Sequence, residues 1–549
     1  MNKILGLSVA HDSSICVFEN GKVVDFFKEE RITKKKRDGD PVRSFYEIDS
    51  QEELDFAYSA PTQDDACYET LKMLAEKKLK IKKEFDYSND HHLIHANLAF
   101  YDSGFKEALV FVIDRNGSVW GNSTRESESV YLASYPNNFK TICKNFWIFN
   151  ASAHEYISFL KKTDPDCDFT AKSMFGIVKV YETATTLIKQ HALENGKTMG
   201  LSAYGNKNKI YPQLFIDGFI PVDHYFGHEP LDGVFSANYL ELENKSTKNI
   251  TNENYQEYAD YAWNVQKQTQ EAVASMINKY IEKTGIKNVC ITGGYGLNVV
   301  ANHYYITQFP DVNFFFEPLA DDTGNSIGAA MKCYRDTTLD NTIYKLEHTF
   351  FNGKKYLLDN IKGIDVSISD VAKLISNGKS VAVYNGLAEA GPRALGNRSI
   401  LFDCRDKNAK EKVNKIKKRE WYRPFAAIVL EVDAKKYFEM GRIEKSEFMT
   451  ISFPVKDTAV DKIPGVVHVD NTCRIQTVTN DNIIMFNLLN EFKKITDMGI
   501  LLNTSFNLAG KPLVETPEDA FYTLRNSPLD YIWFPEISKL VSKNDIWYN

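Results

Sequence analysis

The alternation of apolar and polar residues over the first thirty positions predicts three short strands joined by tight turns. "ILGLSVA", "SICVFEN" and "KVVDFFKEE" are rich in β-branched and aromatic residues, and Asn20-Gly21 between the last two is a strong hairpin signal. A second set of the same kind is expected at "EALVFVIDRNGSVWGN" and "SESVYLASY", where an apolar run, an aspartate, a glycine-containing turn and a returning strand recur. From 153 to 205 the spacing becomes helical, as in "FGIVKVYETATTLIKQHAL", and the segment closes on the glycine-rich "ENGKTMGLSAYG". A polar, Asn-rich stretch at 241–257 leads into a long helix, "QEYADYAWNVQKQTQEAVASMINKYIEKTG", which stops at Gly285 and feeds a buried strand, "NVCITGG". Strand "VNFFFEP" and helix "GNSIGAAMKCYRD" follow. Residues 336–356 are polar and weakly periodic, and mark the expected boundary between a domain at 1–345 and one at 346–549. Beyond it the pattern restarts with helix "ISDVAKLISNGK" and strand "SVAVYNG". Helices alternating with buried strands imply an α/β fold whose loops at the strand ends can hold a ligand.

Composition narrows the class. A chain of 549 residues exceeds one hydrophobic core, and 43% apolar residues with 35 Phe and 29 Tyr supply two. The net charge of −7 lacks the basic excess of a protein that grips duplex nucleic acid. Eight cysteines are scattered without a CxxC, so they read as reduced core thiols in a cytoplasmic protein. The apolar start is interrupted by His11 and Asp12, and no run reaches the ~18 apolar residues of a membrane span, so no membrane partner is expected.

Candidate chemistry begins at "DHHLIHANLAF". His91 and His95 are four apart and share one face of a helix, close enough to hold one metal ion, while His92 points about 100° away. A polar helix face or satisfied core imidazoles would give the same spacing. Asp114 ends the strand "LVFVID", and Asp322 lies in "PLADDTGNSIGAA", where a helix cap is the alternative. His11 ends the first strand as a base, a donor or a turn residue. "GGYGLN" (293–298) offers backbone N–H groups to a phosphate or ribose, and Lys197 in "GKTMGLSAYG" either meets a phosphate or is solvated. The C-terminal third is denser in cations. Arg393 and Arg398 in "GPRALGNRS", Lys415, Lys417, Lys418, Arg419 and Arg423 in "NKIKKREWYRPF", and Arg474 in "CRIQTV" suit bound phosphates. Trp421, Tyr422 and Phe425 interleaved with them imply a cleft wall rather than a solvated helix face. "GILLNTSFNLAG" ends a strand in Asn503, Thr504, Ser505 and Asn507, which suit a nucleotide or carbamate, or a turn.

In order along the chain, "HDSSICVFENGKVV", "EERITKKK", "HHLIHA", "GKTMGLSAYG", "ITGGYGLNVVAN", "DDTGNSIGAA", "GPRALGNRSIL", "REWYRPFA", "HVDNTCRIQTV" and "LLNTSFNLAGKPLVETPEDA" resemble the NodU/CmcH family of O-carbamoyltransferases. The resemblance implies an N-terminal actin-like ATPase superfold with two RNase H-like halves, followed by an α+β YrdC-like domain. It implies that the C-terminal domain makes carbamoyladenylate from carbamoyl phosphate and ATP with Mg, releasing phosphate and pyrophosphate. The N-terminal domain then moves the carbamoyl group to an acceptor hydroxyl at a metal site, leaving AMP, and a closed path for the labile intermediate is expected.

Residue by residue, His91, His95, Asp114 and Asp322 match the family's metal ligands, with iron the first expectation among divalent ions. His11 matches the base for the acceptor hydroxyl, and Lys36 a functional lysine near acceptor or nucleotide. Asp12, Lys197, Gly293, Gly294 and Asn298 are the nucleotide-binding candidates of the N-terminal domain. Arg393, Arg398, Lys418, Arg423, Arg474, Asn503, Ser505 and Asn507 are those for carbamoyl phosphate and ATP. Three departures stand out. Arg115 and Ser118 replace the usual glycine after Asp114 and the acidic residue four positions on, "GGYGLN" replaces "GGVALN", and the bulky residues before GPRALG are missing. A small-molecule hydroxyl acceptor, such as a sugar, an antibiotic or a hydroxymethyl nucleotide, is expected. A threonylcarbamoyl-type tRNA-modifying enzyme is the alternative within the fold, opposed by GPRALG and REWYRPF. A non-catalytic nucleotide-binding module is the third reading, opposed by the intact set of four candidate ligands.

Overall fold

The computed structural model describes residues 3–9, 11–48, 53–59, 65–121, 124–148, 153–172, 176–188, 190–209, 213–216, 220–221, 255–344 and 353–545. The Asn-rich stretch read at 241–257 lies outside the described residues up to 254, as does the middle of the expected domain boundary, 345–352. The chain forms two compact units. One comprises 1–10, 15–22 and 50–346; the other comprises 11–14, 23–49 and 347–549. His11, Asp12 and Lys36 therefore fall in the second unit, although the sequence places them among N-terminal elements.

The first unit is mixed α/β. Its first sheet contains β1 (Lys3–Ser8), β2 (Ser14–Glu19), β4 (Glu53–Ser59) and β5 (Lys80–Asp86) in the order β2-β1-β4-β5, with β1, β4 and β5 parallel; β3 (Lys22–Lys28) straddles the division between units. The second sheet contains β6 (Glu107–Ile113), β7 (Val119–Trp120), β8 (Thr124–Ser134), β9 (Asn138–Ile148) and β10 (Asp168–Lys172). A small ladder joins β11 (Phe215–Ile216) to β12 (Ile220–Pro221), and β13 (Asn288–Thr292) and β14 (Asn313–Phe316) complete the second sheet in the order β10-β9-β8-β6-β13-β14. In both sheets the first strand in sequence lies inside, with the next long strand on one side and two later parallel strands on the other.

The helix His91–Ser103 packs on the second sheet. Ala96, Ala99 and Phe100 meet Ala108, Val110 and Val112 of β6, every second residue of the strand, as a pleated strand requires. The long helix is Tyr255–Thr284, and Asn325–Thr337 is helical as expected. Two local readings change. The strand read as "KVVDFFKEE" ends at Lys28, and Glu29 opens a helix, Glu29–Thr33, because its carboxylate accepts from Ser44 N (2.8 Å), Ser44 Oγ (2.6 Å) and Arg43 N (3.0 Å). "NGKTMGLS" is the helix Asn195–Ser202 rather than a glycine-rich turn.

The second unit is built on a nine-stranded sheet of β15 (Ile364–Asp365), β16 (Val381–Tyr384), β17 (Arg398–Phe402), β18 (Ala426–Leu430), β19 (Ser452–Pro454), β20 (Thr472–Val478), β21 (Ile500–Ser505), β22 (Tyr531–Phe534) and β23 (Lys539–Ser542). Their order is β15-β23-β22-β16-β17-β21-β18-β20-β19. Val381, Val383, Leu401 and Trp533 pack with the helices Ile368–Ser376 and Ile483–Thr496. The alternate residues Ala382, Tyr384, Ile400, Ile532 and Phe534 pack with Pro517–Arg525. Both faces are covered, which explains why these strands read as continuous apolar runs. Among the described residues no helix is long and apolar enough to cross a membrane, and Cys16, Cys143, Cys167, Cys290, Cys333, Cys404 and Cys473 are buried thiols outside any disulfide.

Candidate functional site

The helix carrying the histidines begins at His91 and stops at Gly104, whose φ of 68° provides the left-handed cap. On it the rings of His91 and His95 stand edge to face, 4.8 Å between centroids. Asp114 follows β6 directly, and its Oδ1 accepts from Gly294 N at 3.1 Å. That approach requires Gly293, since it adopts φ +77° and a Cβ there would lie 2.5 Å from the Ile113 carbonyl. The adjacent aspartates of "DD" separate in role. Asp321 caps the following turn by accepting from Thr323 N (3.2 Å), leaving Asp322 to face the histidines.

His91 Nε2 lies 3.3 Å from Asp114 Oδ2 and 3.4 Å from Asp322 Oδ1, and His95 Nε2 lies 3.2 Å from Asp322 Oδ1. One ligand atom from each of the four residues falls within a cluster 4.8 Å across, and all four are buried. Burial pushes the Asp114 carboxyl up, but the His91 hydrogen bond and the neighbouring imidazoles hold it well below the usual range. Burial likewise lowers His91, yet Asp322 and Asp114 raise it overall. Each side thus stabilises the charged form of the other. Two imidazole nitrogens with two carboxylate oxygens are a donor set suited to a divalent first-row ion, so the residues fit the metal that the sequence suggests.

Around this cluster lie further buried polar groups. His92 turns away as its spacing predicts, with Nδ1 2.8 Å from Ser129 Oγ, and burial pushes its imidazole down to about 3. Glu126, Lys144 and Tyr131 form a buried network beside it. At the two departures from the family pattern, Arg115 pairs bidentately with Glu182 (2.7 and 2.9 Å), and Ser118 Oγ accepts from His91 N at 3.1 Å. Lys197 pairs with Glu194 at 2.7 Å. Asn298 caps the helix Val299–Gln308 and exchanges hydrogen bonds with Gln266.

In the second unit, His11 Nδ1 is 3.8 Å from Asp12 Oδ2, and Asp12 pairs with Lys28 at 3.3 Å. The loop "GPRALGN" is wound around the buried Glu389, whose Oε1 accepts from the N–H groups of Leu395 (2.6 Å), Asn397 (2.9 Å) and Arg398 (3.2 Å). Arg398 is wholly buried, over the Tyr384 ring at 3.7 Å, and donates to the carbonyls of Asn385, Asn397 and Gly386. Its place is structural, unlike the phosphate contact expected for it. Asn503 likewise donates to the Ala394 carbonyl and to Gln476, both at 3.2 Å.

The lysine that reaches the end of β21 is Lys417, which donates to the Ser505 carbonyl, Ser505 Oγ and Asn507 Oδ1. Lys418 closes the helix Ala409–Lys417 at φ +52° and is exposed, lining an outer cavity of about 500 Å³ with Trp421, Arg419 and Asn414. Burial lowers the Lys417 ammonium, and Arg419, Arg423 and Lys36 lower it further; burial also lowers Arg474, followed by Arg393 and Arg419. So Lys36, Arg393, Lys417, Arg419, Arg423 and Arg474 form one cationic neighbourhood whose mutual repulsion a polyanion would relieve. The sequence names Lys417 and Arg419 only among the cations of "NKIKKREWYRPF", and it gives no sign of the buried Glu389 around which the neighbouring loop is wound.

Residues 49–331 match the family model "Carbamoyltransferase N-terminus", and residues 372–540 match "Carbamoyltransferase C-terminus". The protein MJ1058 of Methanocaldococcus jannaschii is 31% identical, over 82% of this chain and 74% of its own. Nodulation protein NolO of Bradyrhizobium diazoefficiens is 29% identical, over 80% of this chain and 77% of its own. The crystal structure of full-length HypF in the phosphate- and nucleotide-bound form aligns over 60% of this chain and 55% of its own, with 13% identity and a TM-score of 0.34. With the N-terminal and C-terminal models matched in that order along its length, the chain belongs to the carbamoyltransferase family and is an enzyme of that family.

Proposed function

We propose that this cytoplasmic enzyme makes carbamoyladenylate from carbamoyl phosphate and ATP in its second unit, and transfers the carbamoyl group to a hydroxyl of a small-molecule acceptor at the histidine-carboxylate cluster of its first. The observation that carries this reading is the convergence of His91, His95, Asp114 and Asp322 in a cluster 4.8 Å across. The shared strand order of the two sheets supports reading the first unit as paired RNase H-like halves of an actin-like ATPase superfold, with a YrdC-like domain in the second.

In the second unit, carbamoyl phosphate and water give carbamate and phosphate; carbamate oxygen then attacks the α-phosphorus of Mg-bound ATP and expels pyrophosphate. Arg393, Lys417, Arg419, Arg423 and Arg474 would hold the phosphates, with Lys36 beside them, because guanidinium and ammonium groups neutralise the charge that develops on phosphate oxygens. Ser505 and Asn507 orient the Lys417 ammonium. In the first unit a divalent ion held by the four ligands, with iron the first expectation, would supply a Lewis acid for the carbamoyl carbonyl. The acceptor oxygen bonds to the carbamoyl carbon, the bond to the AMP phosphate oxygen breaks, and AMP leaves. By the family resemblance alone, His11 is the candidate for taking the hydroxyl proton, and Asp12 Oδ2 lies 3.8 Å from its Nδ1.

Purified enzyme given ATP, Mg and carbamoyl phosphate should release pyrophosphate, and His91→Ala should keep that release while losing metal and transfer to the acceptor. A wild-type protein that forms neither pyrophosphate nor AMP refutes the reading.

A further inference from the structure

The departures at 115 and 118 and the buried network beside His92 have no part in the reaction above, yet they meet at one point of the first unit. A helix leaves its first N–H groups without intrahelical partners, and here the side chain of Asp90 makes no cap bond. Ser118 takes that place. Its Oγ accepts from His91 N at 3.1 Å and donates to the Ser88 carbonyl at 3.0 Å, tying the first residue of the helix to the turn before it.

Ser118 is itself held. Its N–H donates to Glu126 Oε2 at 3.1 Å, Gly117 N donates to the Glu126 carbonyl at 2.9 Å, and Glu126 N donates back to the Ser118 carbonyl at 3.2 Å. The other oxygen of the Glu126 carboxylate receives Lys144, which is buried, lies 3.3 Å from Tyr131 Oη and sits over the Trp120 ring at 4.7 Å. Gly117 fits between these groups only because it lacks a side chain, since a Cβ would come within 2.6 Å of both Glu126 Oε2 and His92 Nε2. The β8–β9 register shifts between Glu126 and Glu128, a bulge of the kind that re-aims a side chain beside a site. A buried ion pair adds little to stability over an apolar pair of the same size, and its best-attested use is to fix a geometry.

We propose that Ser118 and the Glu126–Lys144 pair are positioning residues of the metal centre. They hold the start of the histidine helix so that His91 Nε2 stays over Asp114 and Asp322. The inference rests on the reading of those four residues as a metal site. It also accounts for a serine where the family pattern has an acidic residue: the short hydroxyl reaches the helix N–H and carries no charge next to the ligands.

The test uses cobalt(II) alone as the probe, titrated into metal-free full-length protein and followed by its ligand-field absorption. Ser118→Ala should weaken cobalt binding about tenfold and shift the absorption, and Lys144→Met should weaken it by about ten- to a hundredfold, the range seen when outer-shell partners of a metal site are removed. Ser118→Thr and Lys144→Arg should restore most of the affinity. The metal-free melting temperature of Ser118→Ala should lie within about 2 °C of wild type, as expected for the loss of one helix-cap bond in a unit of this size. Ser118→Ala binding cobalt with wild-type affinity and spectrum overturns the positioning role and leaves the metal site standing, and it decides the matter even if Lys144→Met fails to fold. Wild type taking up no more cobalt than His91→Ala overturns both.

Discussion

The buried carboxyl pair Asp102–Glu317 gives the most direct test of the physical reasoning, because its effect on stability has a definite sign. Asp102 lies on the histidine helix, and Glu317 follows β14. Both are buried, the two carboxyls lie against each other, and Glu317 Oε1 accepts from Leu319 N at 2.8 Å. Burial, then the neighbouring carboxyl, raises Asp102 well above its usual range; burial raises Glu317 to about 8. The folded chain therefore holds at least one proton that the unfolded chain has released. A carboxyl raised in the folded state favours folding least at high pH. Stability is full below the unfolded value near 4.3 and is lost as pH climbs to about 8, at about 1.4 kcal/mol per pH unit for one proton. Over three units that amounts to about 4 kcal/mol. Glu317→Gln keeps an acceptor for Leu319 N and offers an amide N–H to Asp102 in place of the shared proton. The variant should match wild type at pH 5 and exceed it at pH 8 by about 2 to 4 kcal/mol, or about 5 °C in the first unit's melting temperature. Calorimetric scans from pH 5 to 8.5 measure this directly. A variant that is no more stable at pH 8, or whose advantage does not grow with pH, refutes the shared-proton account.

Other outcomes follow from single contacts. Arg398→Lys keeps the charge but cannot bridge three carbonyls or lie flat on Tyr384, and should cost the second unit about 2 to 4 kcal/mol in urea unfolding; an unchanged midpoint would show the guanidinium to be dispensable. Gly293→Ala forces a Cβ to within 2.5 Å of the Ile113 carbonyl at a left-handed φ, so it should lose about 2 kcal/mol or more and weaken metal uptake through Asp114. Lys417→Met should lower pyrophosphate release about a hundredfold with cobalt binding intact, whereas Lys418→Met should change it less than about threefold. Equal effects of the two lysine variants would remove the distinction drawn here between an inward and an outward cation.

That last pair shows where the sequence stops being legible. The helix at 91–103, the facing of His91 and His95, the turn of His92 to the other side and the strand end at Asp114 are all readable, because each follows from a backbone period acting over a few residues. Lys417 and Lys418 are adjacent and chemically alike, and nothing in a periodicity says which one turns inward. The left-handed cap at Lys418 decides it, and that cap exists because the chain must reverse toward "REWYRPF". Arg398 reads as a phosphate ligand for the same reason: a cation in a glycine-flanked loop looks alike whether its partner is an anion or a set of carbonyls. Glu389 and Glu126 went unassigned since their partners come from turns and strands that only the tertiary fold brings to them. The boundary at 346 misses a further point, because a linker signal marks where a chain leaves a core and cannot show that residues 11–14 and 23–49 join the second unit. The proposed ligands at strand and helix ends are thus the part of this enzyme that local pattern can locate, while the residues proposed to hold them in place meet through contacts distant in sequence, which is why Ser118 and Lys144 are better sought in a structure than in a motif.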